Sequence, residues 1–262
     1  MNEWTRLERP ARGVAKPLFA DHRKSFLIDA IVEGHHGDVF VDDASTPHVA
    51  RLEYADIVVL GGDPLHASAH DLVATIPVDK AILPSPDGWD GLMRGVLGED
   101  LVEVTRYGFS DRSLHTDHLL QLAERIPPRT EVRRIDLDLA RTIAADGSLI
   151  SEDHVRNFDS PEDFVERGIG FCALREGHVI AGASSYAVCD SGIEIQVNTH
   201  PDHRGKGLAT CVCAALVVWC QTEGLAAHWD AGNEISVRLA TRLGYTPTGA
   251  YTVHVRVAWR AA

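Results

Sequence analysis

Hydrophobic and polar positions repeat with two periods along this chain, and the second half shows both most cleanly. Ile193, Ile195, Val197 and Thr199 fall on one side and Glu194, Gln196 and Asn198 on the other. That period of two predicts a strand. Gly207–Glu223 is apolar almost all round, which predicts a buried helix, and Gly224 ends it. Upstream, Ser160-Pro-Glu-Asp163 reads as a helix start with Ser as cap and Pro at the first helical position. Gly170–Leu174 and His178–Val188 read as strands joined by the hairpin turn Arg175-Glu-Gly177, and Asp190-Ser-Gly192 makes the next turn. Ala226–Asp230 predicts a short strand. Asn233 caps a helix carrying Ile235, Leu239 and Leu243, closed by Gly244, and Tyr251–Trp259 alternates as a last strand.

In the first half, Asp56–Leu60 looks like a buried strand before the turn Gly61-Gly-Asp-Pro64. Ala81-Ile-Leu83 repeats the pattern before Pro84-Ser-Pro-Asp-Gly88, and Val102–Tyr107 alternates. His115–Ile126 predicts an amphipathic helix stopped by Pro127-Pro128, and Glu131–Leu139 a strand leading into a helix. The proline pair sets the expected division: an N-terminal α/β domain over residues 1–130 and a second domain over 131–262.

Composition narrows the function classes. With 45% hydrophobic and 24% charged residues, the 262-residue chain is globular. Its 25 Lys and Arg against 38 Asp and Glu give a net charge of −13, so no nucleic acid is expected as partner. A small anion is still permitted, because a local nest of backbone amides can overrule net charge. The N-terminus has no apolar signal-peptide core, and the longest apolar stretch, Ala214–Cys220, is far below the roughly 20 residues that span a bilayer. A cytoplasmic protein without membrane contact is expected. The five cysteines are odd in number, and Cys211-Val-Cys213 lies in the apolar helical run, which reads as small buried side chains. His66 and His70 are four apart, but no Glu accompanies them in a zinc-protease pattern, and His35-His36 reads as a surface loop. No metal is expected.

The chemistry concentrates in His200-Pro-Asp-His-Arg204-Gly-Lys-Gly207-Leu-Ala209. This segment follows a strand and opens the buried helix, so helical N–H groups and a positive dipole end converge there. The glycines admit close approach of a phosphate, and Arg204 and Lys206 add charge. Neither a P-loop nor the dinucleotide pattern fits, since Gly205-x-Gly207 is followed by Thr210 where a third glycine belongs.

Arg204-x-x-Gly207-x-Ala209, with this order of elements, resembles the pyrophosphate loop of the GNAT superfamily of acyl-CoA N-acyltransferases. Gly168-Ile-Gly-Phe-Cys172, Ile193–Pro201, His228-Trp-Asp230 and Asn233-Glu-Ile-Ser236 are similar to the branch that includes the zwittermicin A resistance acetyltransferase. Leu83–Trp89 is similar to the N-terminal half of that branch. The resemblance implies an α/β (α+β) fold: a mixed, mostly antiparallel twisted sheet flanked by helices in the C-terminal half. The N-terminal half is then an α/β domain shaping the acceptor side, or a degenerate GNAT-like half. The implied reaction moves an acetyl group from acetyl-CoA, the co-substrate, to a primary amine of a small molecule, an antibiotic or a peptide. The assembly is a monomer or homodimer. A non-catalytic acyl-CoA-binding module is the alternative.

The resemblance also implies a donor site. Val197, Asn198 and Thr199 match the strand that pairs with the pantetheine arm. The amides of Arg204, Gly205, Lys206, Gly207, Leu208 and Ala209 match the pyrophosphate loop, and Asn233, with Ser236 one turn on, lies beside the thioester. The strand amide near Val197–Thr199 is the candidate oxyanion donor. Ala240 stands where many members place a tyrosine acid, which leaves Ser236 and Tyr245 as proton donors, with a core aromatic the equal alternative for Tyr245. Glu194, in the polar row of its strand, is the expected base, with His200, His228 and Asp230 behind it.

Overall fold

The computed structural model describes residues 4–22, 26–83, 88–146 and 152–257. Contacts divide it into two units: one runs to Arg106 and takes in the residues from Ala250 onward, the other is Tyr107–Gly249.

The first unit contains β1 (Thr5–Arg6), a 3-10 helix (Arg9–Phe19), α1 (Phe26–Val32), β2 (Asp38–Val41), β3 (Val49–Tyr54), β4 (Ile57–Gly62), α2 (Ala69–Ala74), β5 (Lys80–Ile82) and α3 (Trp89–Leu97). β6 (Leu101–Ser110) then carries the chain into the second unit. Strands β1 to β4 pair antiparallel in order, and β5 lies parallel to β4. Val58, Leu60, Leu72, Ile82, Trp89 and Met93 are buried together beneath them. The expected strands at 56–60 and 81–83 are β4 and β5. Pro84–Asp87 of the following turn lie outside the described residues.

The second unit contains α4 (Thr116–Ala123), β7 (Glu131–Arg134), α5 (Leu137–Asp146), α6 (Glu152–Val155), α7 (Pro161–Arg167), β8 (Gly170–Arg175), β9 (His178–Cys189), β10 (Gly192–Thr199), α8 (Leu208–Thr222), β11 (Ala226–His228), β12 (Asp230–Ala231) and α9 (Glu234–Leu243). β13 (Thr246–Arg256) returns to the first unit, where His254 pairs with Ile82 of β5. The sheet order is β11-β10-β9-β8-β7, antiparallel except for β10 and β11. α8 lays Leu208, Val212, Leu216 and Val217 into the core. Its cysteines are buried with it, and burial pushes the Cys220 thiol up to about 12.

Local signals explain these elements. Ser160 accepts the Asp163 amide at 3.1 Å as the cap of α7. Glu176 and Gly177 both have positive φ, 52° and 82°, the conformation a two-residue hairpin turn requires. Mixed, mostly antiparallel sheets flanked by helices match the expected fold class. The boundary differs from the expected 130/131. α4 packs on α8 through Leu119 and Leu122, so residues 107–130 belong to the second unit and the proline pair is internal to it.

The two units also share an order of elements: three antiparallel strands, a helix, a strand parallel to the third, then a helix. In the first this is β2-β3-β4-α2-β5-α3, in the second β8-β9-β10-α8-β11-α9 with the two-residue β12 inserted before α9.

Candidate active site

The site forms around β10. β11 pairs with it only at Gly192–Glu194, opposite Ala226–His228. Among the described residues no strand lies on that edge of β10 beyond Glu194. On its other edge β10 pairs with β9 as far as Thr199, across a register shift at Glu194/Ile195 where β9 carries an extra residue, Tyr186. Such a bulge bends a strand and increases its twist. The pair of parallel strands therefore parts at Glu194, and half-buried Ile195–Thr199 have no strand neighbour on that edge among the described residues.

The loop after β10 turns by glycine. Gly205 and Gly207 have φ of 75° and 83°, and no atom lies within 4 Å of a side chain at either position. These glycines are there for conformation and open space, not for packing. Gly207 caps α8 without a side-chain acceptor, and the first intrahelical bond runs from the Cys211 amide to the Gly207 carbonyl at 3.2 Å. The amides ahead of Cys211 face the loop end, where the helix dipole is positive.

Arg204 Nε donates to the Thr199 carbonyl at 3.2 Å and Lys206 Nζ to the Asp202 carbonyl at 2.7 Å, so both cations fold over the loop. Desolvation and the charges of Lys206, His200 and Arg175 hold His203 below its ordinary pKa. The chain is acidic overall, yet Arg175, Arg204 and Lys206 gather around this loop.

Glu194 is 14% exposed and receives His228 Nδ1 at 2.9 and 2.8 Å on its two oxygens. Burial pulls the imidazole down. The Glu194 charge and hydrogen bond, with Asp230 and Asp111, outweigh it and leave His228 above its ordinary pKa. The expected base is therefore one half of a carboxylate–imidazole pair. His228 was visible in the sequence only as a strand-end histidine; the parallel register of β10 and β11 supplies the partnership.

Gln196 donates to Ser184 Oγ at 3.1 Å, and Ser184 Oγ meets His154 Nδ1 at 2.8 Å. His154 is fully buried, and burial lowers its pKa to about 4. Its ring lies so close over Gly182 that any side chain there would collide with it. The polar row of the strand marked Gln196 for such a network, while His154 and Ser184 join it only through folding.

The remaining expected residues divide in position. Val197 packs partly into the core. Asn198 Oδ1 accepts the Thr199 amide at 2.8 Å, so that strand amide is already engaged by a side chain. Asn233 is exposed and caps α9 by accepting the Ser236 amide at 3.0 Å. Ser236 Oγ accepts from Trp229 Nε1 at 3.2 Å, which leaves its own O–H to donate. Tyr245 is not gathered into the site: it is buried, donates to the Ala227 carbonyl at 2.8 Å, and desolvation holds its pKa well above 10. Its neighbour Ala240 is fully buried. Tyr107 on β6, which the sequence did not single out, is hydrogen-bonded to Glu234 in the first turn of α9.

A glycine-turned helix N-terminus follows a strand parted from its parallel neighbour, and its free amides suit an anion. The family model for GNAT acetyltransferase matches residues 16–254. The chain belongs to the GNAT acetyltransferase family. A curated relative, the uncharacterized N-acetyltransferase YdfB of Bacillus subtilis (strain 168), is 26% identical over 250 residues, covering 91% of this chain and 93% of that protein. The crystal structure of a GCN5-related N-acetyltransferase-like protein from Streptococcus suis 89/1591 superposes with a TM-score of 0.82 at 31% identity, covering 95% of this chain and 99% of that one. A tandem GNAT protein from the clavulanic acid biosynthesis pathway shares the fold at 14% identity, with a TM-score of 0.59 over 96% of this chain and 97% of its own. As a GNAT protein the chain is an acetyltransferase, and none of its described helices is long and apolar enough to cross a membrane.

Proposed function

We propose that this enzyme transfers an acetyl group from acetyl-CoA to a primary amine of a small molecule by direct attack in a ternary complex. One observation carries the reading: an open, glycine-built helix N-terminus directly follows the strand whose edge is uncovered beyond Glu194. In this reading the amides from Arg204 to Ala209 hold the pyrophosphate, the β10 backbone at Val197 and Asn198 receives the pantetheine arm, and Asn233 flanks the thioester. A strand amide there donates to the developing oxyanion.

The amine must lose a proton before it attacks, and the Glu194–His228 pair takes it. Glu194 orients the ring and stabilises the imidazolium that forms. Ala240 offers no acid, and Tyr245 is committed to the core, so Ser236 and Tyr107 are the groups placed to protonate the leaving thiolate. The zwittermicin-like wording of the sequence favours an amine-bearing antibiotic or peptide as acceptor. The first unit is a degenerate relative of the catalytic unit. The shared order of elements supports that origin. A cytoplasmic monomer or homodimer fits the reading.

Ala240 supports the second reading, a non-catalytic acyl-CoA-binding module. Incubating the chain with acetyl-CoA and a panel of primary amines, with thiol release and product mass as readouts, separates the two. Acetylated product supports the enzyme. CoA binding without thiol release for any amine supports the module, and absence of CoA binding removes both.

A further inference from the structure

A second chemical cluster lies in the first unit, at the end of β4. We propose that Asp42, His48 and His66 bind one divalent transition-metal ion of the zinc class, with water in the fourth position. This departs from the expectation of no metal, which considered His66 only with His70. His70 lies in α2 and pairs with Asp71, while His66 precedes that helix and meets two residues from the β2–β3 connection.

Backbone geometry assembles the three. Gly62 has a φ of 90°, and a side chain there would collide with the His48 carbonyl; only glycine lets the two segments close this tightly. The Asp63 amide donates to that same carbonyl at 3.0 Å, and the His66 amide to the Asp63 carbonyl at 3.1 Å. Asp42 is turned into place from the other side. Its Oδ1 accepts the His48 and Val49 amides at 2.9 and 3.1 Å, which leaves Oδ2 for the imidazoles. Outer hydrogen bonds of this kind are what fix a metal-binding carboxylate.

The donor atoms are spaced for a small cation. Asp42 Oδ2 lies 3.1 Å from His48 Nδ1 and 3.7 Å from His66 Nδ1. Zinc bonds of about 2.0–2.2 Å set tetrahedral ligand–ligand edges of about 3.3–3.5 Å, between those two values. The rings stack 4.7 Å apart at 2°. The Asp42 side chain is 7% exposed, and His48 and His66 are 57% and 31% exposed, so an ion has a route in.

The Ser68 amide approaches His66 Nδ1 at 3.3 Å, which fixes the lone pair on that atom. Protonating Nδ1 instead would turn its N–H against the Ser68 N–H. A divalent ion would take Oδ2 of Asp42 and Nδ1 of each imidazole, replacing the long Ser68 contact at His66. It would staple the β2–β3 connection to the turn after β4, the place in this unit that corresponds to the Arg204–Ala209 loop in the other.

The test uses the tag-free, chelator-dialysed full chain with cobalt(II), then zinc. One cobalt per chain with the visible bands of a tetrahedral nitrogen–oxygen site, displaced by zinc, supports the proposal. So does a thermal midpoint that rises with zinc and saturates. His48→Ala and His66→Ala should each lose at least about 100-fold in affinity, beyond the 10–100-fold typical of an outer-sphere change. His70→Ala should lose nothing. CoA affinity, read in the same variants, reports that the fold is intact. Equal cobalt affinity in wild type and His66→Ala overturns the site, as does a thiolate-to-cobalt absorption placing the ion on cysteine.

Discussion

The two units run through the same order of strands and helices, yet treat the end of the third strand in opposite ways. In the second unit, β10 ends in a loop whose two left-handed glycines face open space, followed by a fifteen-residue buried helix. In the first, β4 ends in Gly61 and Gly62, and both are closed. A side chain at Gly61 would sit 2.5 Å from the Phe19 ring and 2.8 Å from the Leu18 carbonyl, and one at Gly62 would meet the His48 backbone. The strands differ as well: β10 carries half-buried Glu194, Gln196 and Asn198, whereas Val58, Val59 and Leu60 of β4 are fully buried. Glycine after a strand is therefore no donor site by itself. What counts is whether the missing side chain leaves room for a ligand or for the protein's own backbone.

The most damaging way to probe this contrast is Glu194→Gln. If the polar row of β10 is the chemical side, kcat at neutral pH should fall by about 10²–10⁴-fold, the usual worth of general base catalysis. The loss should shrink as pH rises and free amine becomes common. In wild type the rate should climb through a pKa above the ordinary histidine value, because His228 is raised; in Glu194→Gln an NMR titration should find His228 lower. A wild-type rate in Glu194→Gln at neutral pH would remove the assignment.

Next comes the buried network under β10. His154 titrates near 4 in the fold and near 6.5 when unfolded, so the unfolded chain binds the extra proton between those values. Stability should be unaffected above pH 6.5 and fall as pH drops toward 4, by about 3 kcal/mol in all. A His154→Gln chain should lose that part of its acid sensitivity, read by denaturant melts across pH. An unchanged acid limb would show that the histidine does not govern it.

Gly207→Asp tests the open loop directly. It replaces a helix-end attraction of up to about 2 kcal/mol with repulsion, so CoA affinity should fall roughly 100-fold in a folded protein. Calorimetry should also count one CoA per chain in wild type; two would abolish the distinction between the units. Gly61→Ala should do the converse, lowering stability by about 1–3 kcal/mol through overpacking while CoA affinity holds. Smallest are the donor-side changes. Ser236→Ala and Tyr107→Phe should each slow turnover less than Glu194→Gln, since a thiol with a pKa of about 8.5 leaves tolerably without an acid. Tyr245→Phe should shift the melting temperature rather than the rate.

Reading the sequence succeeded where one element carries its own signal. The alternation of 193–199, the apolar run of α8, the Ser160 and Asn233 caps and the glycine pair before Leu208 are all local, and the fold keeps each of them. Groupings made by register stayed hidden. Glu194 was chosen from its strand alone, but His228 becomes its partner through parallel pairing 34 residues away. His66 was weighed against a neighbour in sequence, while its neighbours in space are Asp42 and His48. Tyr245 shows the reverse case: its place after the helix admits chemistry or core, and burial gives the hydroxyl to a carbonyl. The domain boundary failed for a related reason, because a proline pair marks where a helix stops and not which partner that helix chooses.

The return of β13 sets a timetable for synthesis. The second unit is one uninterrupted stretch, but the first lacks its β13 segment until residues beyond Ala250 exist. At about 5–20 residues per second, the ribosome takes on the order of ten to thirty seconds between Arg106 and that strand. Through that interval β5 waits beside β4 without its second neighbour. The half of the protein that is translated first is thus the half that finishes last, and a chaperone acting on the nascent chain would find its unpaired edge there.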